Sequence, residues 1–163
     1  MRLHDYLNLN ARERPDGEFA LDSSRALTNA EGLAEANQLA NAFVAAGIEV
    51  GDRVAILSKN SVEYAVFYVG ASAAGAVPVP LNYRLAPAEW AYIVNDAGAR
   101  MMIASDDFAA GIDSVRDELT SVEQYRQIGG ETREGWESYA EWVAGQPATS
   151  CGRHIRDDAD AYQ

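Results

Sequence analysis

Three apolar runs, "RVAIL" at 53–57, "AVPVPL" at 76–81 and "RMMIAS" at 100–105, are separated by segments whose apolar residues recur at helical spacing, and this alternation constrains the fold most. Each run is short and rich in branched or aliphatic side chains, as a strand buried on both faces requires. Between the first two, Val62, Val66, Val69 and Ala73 share one face of a helix but would fall on both faces of a strand. Strand and helix in alternation predict crossover units and a mostly parallel sheet. The expected fold class is therefore α/β, doubly wound, with helices on both faces of the sheet.

The flanking segments complete this reading. Leu3, Tyr6, Leu7 and Ala11 predict a short first helix over 3–14, stopped by "PDG". "FALDSSRALT" reads as a hairpin. Asn29 is the expected cap of a helix ending at Gly47, and Asn60 with Glu63 has the form of a capping box for the next, over 61–75. Further helices are expected over 87–96, 108–119 and 136–143, with a weak strand over 123–128. The polar stretch 148–163 is expected to be loop or a disordered tail. Pro78 and Pro80 cannot donate to a ladder, which puts their strand at an edge or an end. Tyr64, Tyr68, Trp90 and Tyr92 are read as core residues on helix faces.

The chain of 163 residues, 48% of them apolar, is enough for one domain with a core. Its formal net charge of −12 argues against nucleic acid or an anionic lipid surface as partner, since both recruit Lys and Arg. Cys151 is the one cysteine, so an internal disulfide is impossible and a reducing cytoplasmic setting fits. No apolar run approaches the ~18 residues of a membrane span, and contact with a membrane surface stays open. His4 and His154 lack metal-ligand spacing and are read as surface residues, with no metal site expected.

The segment "GASAAG", 70–75, admits three readings. It has the outer glycines of a dinucleotide fingerprint, and it approximates a hydrolase nucleophile elbow at Ser72. Both motifs need a strand-to-helix turn. A helix over 61–75 instead puts these small residues where they allow close packing, with Gly75 ending the helix. Arg84, in the loop after the proline-bounded strand, is the residue placed to meet an anion. No complete catalytic constellation is present in the sequence.

"GDRVAI" (51–56), "GAVPVPLNYRL" (75–85) and "YIVNDAGARMMI" (92–103) resemble the N-terminal region of adenylate-forming, AMP-binding acyl-CoA synthetases. That family includes fatty-acid and aryl CoA ligases and luciferase. The resemblance is specific over residues 27–105 and implies a protein that joins a fatty acid to ATP, with Mg²⁺, and passes the acyl group to coenzyme A. It implies that Pro80, Leu81, Asn82 and Arg84 match a pattern in which the arginine lies toward the phosphates of coenzyme A. In the family the Ser/Thr/Gly-rich ATP phosphate loop follows a run like "DDADAYQ" (157–163). The chain is accordingly expected to be the incomplete N-terminal part of a larger domain, inactive as a ligase alone, and to form homo-oligomers through exposed apolar surface. The alternative expectation is a stand-alone interaction module without catalysis.

Overall fold

The computed structural model describes residues 1–162; Gln163, the end of the expected tail, lies outside the described residues. The element order is α1 (Leu3–Glu13), β1 (Glu18–Leu21), β2 (Ala26–Thr28), α2 (Asn29–Ala45), β3 (Arg53–Leu57), α3 (Val62–Ala74), β4 (Val77–Pro80), α4 (Pro87–Ala97), β5 (Met101–Ser105), α5 (Asp106–Asp113), β6 (Gln124–Ile128), β7 (Glu137–Ser138) and α6 (Tyr139–Ala144). This is the α/β fold expected, with a first helix and an antiparallel β1–β2 hairpin ahead of a five-stranded sheet. The sheet order is β4-β3-β5-β6-β7, and every pair is parallel. The chain falls into two compact units.

One unit comprises Met1–Gly51, Asn60–Ala76 and Val143–Ala159. Its centre is the contact of α2 with α3, where Phe43 and Phe67 meet edge to face at 6.2 Å. Gly70 permits the approach: a Cβ there would stand 2.8 Å from Leu39 Cδ2 and 3.0 Å from the Ala36 carbonyl oxygen. The hairpin tip is fixed by Asp22, whose carboxylate accepts hydrogen bonds from Ser24 and Arg25 within the turn and from the Val62 amide at the start of α3. Arg25 beside it pairs with both Glu35 and Glu63. Residues 148–162 contain neither helix nor strand. They are held by Asn41 donating to the Pro147 and Thr149 carbonyls and Arg153 donating to that of Ala74.

The second unit contains the sheet, Asp52–Lys59 and Val77–Trp142. Ala55, Leu57, Met102 and Ala104 pack with Trp90, Ala91 and Val94 of α4 and Ala109 and Ile112 of α5 in one core. The alternate residues Val54, Ile56, Met101 and Ile103 are fully buried as well, so both faces of the central strands are covered, as their unbroken apolar runs require. β4 lies at the edge. The Val77 and Leu81 amides donate to β3 and its flank at Asp52 and Ile56, which turns the nitrogens of Pro78 and Pro80 to the outer side, where no ladder donor is needed.

Several expectations need correction. The α2 cap is Thr28, in a reciprocal pairing with Glu31, and the α3 cap is Ser61, whose Oγ accepts from the Tyr64 amide; Asn29 stands one residue too late and Asn60 one too early. The helix expected over 108–119 begins at Asp106 and stops at Asp113, followed by a single 3₁₀ turn, Arg116–Glu118. It breaks because Arg116 is drawn onto the Tyr125 ring, 3.7 Å from its centroid, and donates to the Gly135 carbonyl. Trp136 is not helical: Glu137–Ser138 pairs with β6 before α6 begins. Tyr92 is 71% exposed and is not a core residue.

Candidate functional site

The residues of "GASAAG" form the C-terminal end of α3, and Gly75 closes it in the left-handed conformation at φ 77°. At that end the carbonyls face outward, the wrong polarity for a pyrophosphate, so the dinucleotide reading fails. Ser72 is 8% exposed and hydrogen-bonds His4 Nδ1 at 2.9 Å, while His4 Nε2 stands 3.5 Å from Asp5. A serine, a histidine and an aspartate thus meet, but Ser72 sits inside a helix and not on the exposed strained turn that a hydrolase nucleophile uses. The arrangement is a packing contact between α1 and α3. His4 is correspondingly not a surface residue, and burial pushes its pKa below the ordinary imidazole value, with Asp5 opposing. His154 is exposed.

The carboxyl ends of the parallel strands carry a different set of residues. After β4 the chain turns at Asn82, whose side-chain oxygen accepts from the Arg84 amide and whose carbonyl accepts from the Leu85 amide. The same carbonyl accepts from Trp90 Nε1 at 2.9 Å, and Trp90 is buried on α4. The turn is therefore pinned to the core, while Arg84 itself is exposed with its guanidinium carbon 5.5 Å from the Tyr83 ring centroid. Among the described residues no carboxylate pairs with Arg84.

Tyr83 leans on Phe108 of α5 at 5.9 Å, and Phe108 meets Trp90 edge to face at 6.2 Å. Lys59, two residues beyond β3, lies 5.8 Å over Phe108 and donates to Asp107 at 2.8 Å. The Asp107 hydrogen bond, then its charge, raises the Lys59 pKa above the usual lysine value. This patch can receive an anion with an aromatic part, through charge at Arg84 and ring faces beside it. The sequence reading found Arg84 and missed Lys59, Tyr83 and Phe108. The signal available for Lys59 was its place directly after a fully buried strand, where parallel sheets bind ligands.

A surface depression of about 650 Å³ lies elsewhere, around Asp113, Glu131, Thr132, Arg133 and Glu134. Three carboxylates there disfavour a polyanion. Asp113 is engaged structurally, accepting from Trp136 Nε1 and Arg133 Nε. Among the described residues no group of three His, Cys, Asp or Glu side chains is placed to hold a metal ion. No described helix is long and apolar enough to cross a membrane.

The family model "AMP-binding enzyme" matches residues 7–157. Long-chain-fatty-acid–CoA ligase FadD13 of Mycobacterium tuberculosis is 38% identical over 129 residues, which cover 77% of this chain and 25% of that protein. The crystal structure of the anthranilate CoA ligase AuaEII in complex with anthranoyl-AMP superposes with a TM-score of 0.88 at 32% identity, covering 91% of this chain and 29% of that one. The N-terminal domain of FACL13 from Mycobacterium tuberculosis superposes with a TM-score of 0.90 at 30% identity, over 99% of this chain and 41% of that one. The chain thus spans about a quarter of the length of that curated relative.

Proposed function

The chain belongs to the AMP-binding enzyme family, and from that premise we propose that the protein carrying it activates a fatty acid with ATP, releases pyrophosphate, and transfers the acyl group from the adenylate to coenzyme A. The observation that supports this reading is the 38% identity to a long-chain-fatty-acid–CoA ligase together with Arg84, held outward by a core-anchored turn. Arg84 takes a phosphate of coenzyme A, for which a planar guanidinium is suited.

ATP supplies the energy and the leaving group of the first step. The segment nearest a nucleotide fingerprint, 70–75, does not fit its phosphates, because it presents a helix C-terminus. No step is therefore assigned to ATP or Mg²⁺ within this chain, and the chain alone is expected to give no ATP–pyrophosphate exchange. The proposal includes a cytoplasmic setting, supported by the single Cys151.

The test is Arg84→Ala in the complete protein. Loss of an exposed arginine–phosphate contact is worth about 1–2 kcal/mol, so KM for coenzyme A should rise roughly 5–30-fold. An unchanged KM overturns the assignment of Arg84.

A further inference from the structure

We propose that Lys59 is a second cation for the ligand that Arg84 receives, held in reserve by Asp107 until that ligand arrives. The proposal rests on the Arg84 reading and adds a residue and an exchange step to it.

The sheet order is the first support. β3 and β5 are neighbours, but the chain leaves β3 for β4 on one side and leaves β5 for β6 on the other. Connections departing in opposite directions open a crevice at the carboxyl ends of the two strands, the place where open parallel sheets bind ligands. Lys59 follows β3 and Asp107 is the second residue of α5, which follows β5 directly, so their 2.8 Å ion pair lies across that position.

The aromatic floor is the second support. Lys59 stands over Phe108, Phe108 touches Tyr83, and Arg84 stands over Tyr83. Two cations thus flank two adjoining rings. That combination suits a nucleotide bearing more than one phosphate, with ring faces for the base and a charge for each end. Coenzyme A has this chemistry at its nucleotide end.

The exchange is the third. The ion pair is open to water, with 62% of the Lys59 and 57% of the Asp107 side chain exposed, so opening it costs little. Asp107 remains favourably placed after Lys59 leaves, because it sits in the first turn of α5 against the positive end of the helix. A phosphate can therefore replace the carboxylate on Lys59 without stranding a charge.

The experiment compares KM for coenzyme A in the complete protein and its Lys59→Met, Asp107→Asn and Arg84→Ala variants, with urea midpoints confirming that each is folded. Lys59→Met keeps the stem over Phe108 and removes the charge; KM should rise about fivefold. Asp107→Asn frees Lys59; KM should fall about two- to threefold. These opposite signs distinguish a reserved ligand from a structural ion pair, which both substitutions would weaken alike. If Arg84→Ala raises KM while Lys59→Met leaves it unchanged, the Lys59 proposal is overturned and the Arg84 reading stands. If Asp107→Asn raises KM as Lys59→Met does, the reserve role is overturned. No change in any variant overturns both.

Discussion

Gly70→Ala is expected to destabilise the protein although alanine is the better helix former. The helix-propensity term favours the substitution by about 1 kcal/mol. Against it stands the geometry of the α2–α3 contact. The new methyl would lie 2.8 Å from Leu39 Cδ2 and 3.0 Å from both Leu39 Cβ and the Ala36 carbonyl oxygen, where ordinary contact begins near 3.4 Å. Leu39 is fully buried and has no free space to turn into, and the carbonyl belongs to the α2 backbone. The helices must separate by about half an ångström, and a gap of that size forfeits a quarter or more of the dispersion well for the side chains between them. Overpacking of this kind costs about 1–3 kcal/mol, and with backbone rather than a flexible tip in the way the upper half of that range applies, which leaves a net loss of about 1–2 kcal/mol, a Tm lower by a few degrees. Gly70→Val gains only a few tenths of a kcal/mol in propensity and adds two more methyl groups, so about 3 kcal/mol is expected. Urea unfolding followed by circular dichroism measures both. Leu39→Ala removes one of the clashing atoms, and in combination with Gly70→Ala it should cost about 1 kcal/mol less than the sum of the single changes. An increase in stability for Gly70→Ala would refute the close approach of α2 and α3.

Gly75→Ala and Gly47→Ala separate conformational strain from packing. Both glycines have positive φ, near 77° and 76°, but only at Gly75 would a Cβ meet neighbours, Ile155 Cδ1 at 2.6 Å and Val50 Cγ2 at 2.9 Å; Gly47→Ala should cost about 1 kcal/mol and Gly75→Ala at least twice that by denaturant titration. Arg25→Ala leaves Glu35 and Glu63 facing a lost common partner, so a loss of about 2 kcal/mol is expected, smaller at high salt as their repulsion is screened. His4 supplies a pH signature. Its pKa is lowered in the folded state, so the unfolded chain binds the proton more readily, and stability should be full above about 6.5 and decline as pH falls through that value. His4→Gln should flatten this part of the stability profile, measured by urea midpoints between pH 5 and 8.

How much of this was legible in sequence depended on how local the deciding contacts are. β3, β4, β5 and α3 were readable because each carries its own periodicity, and the prolines of "AVPVPL" told where β4 lies in the sheet. α5 ended early through an event outside itself, the stacking of Arg116 on the Tyr125 ring beside Trp136. The two-residue β7 was invisible, since its pairing with β6 is all that defines it. The site divided the same way. Arg84 follows its strand in one readable loop with Tyr83, whereas Lys59 comes from the β3–α3 connection and Phe108 from α5, and these share no spacing with that loop that a linear reading detects. His4 was misread for the same reason, because its partner Ser72 is remote in the chain.

The prolines of β4 also bear on how the chain can aggregate. A free sheet margin normally recruits the strand of another molecule through a row of amide donors. Here the margin beyond β4 has lost its donors at 78 and 80, so no second copy can continue the sheet there by regular pairing. Cross-β growth from this five-stranded sheet, were the protein to misassemble under heat or acid, must begin at the opposite margin. β7 offers only Glu137 and Ser138 as a template there, one of them charged, and a nucleus built on two residues is a poor start for a fibril.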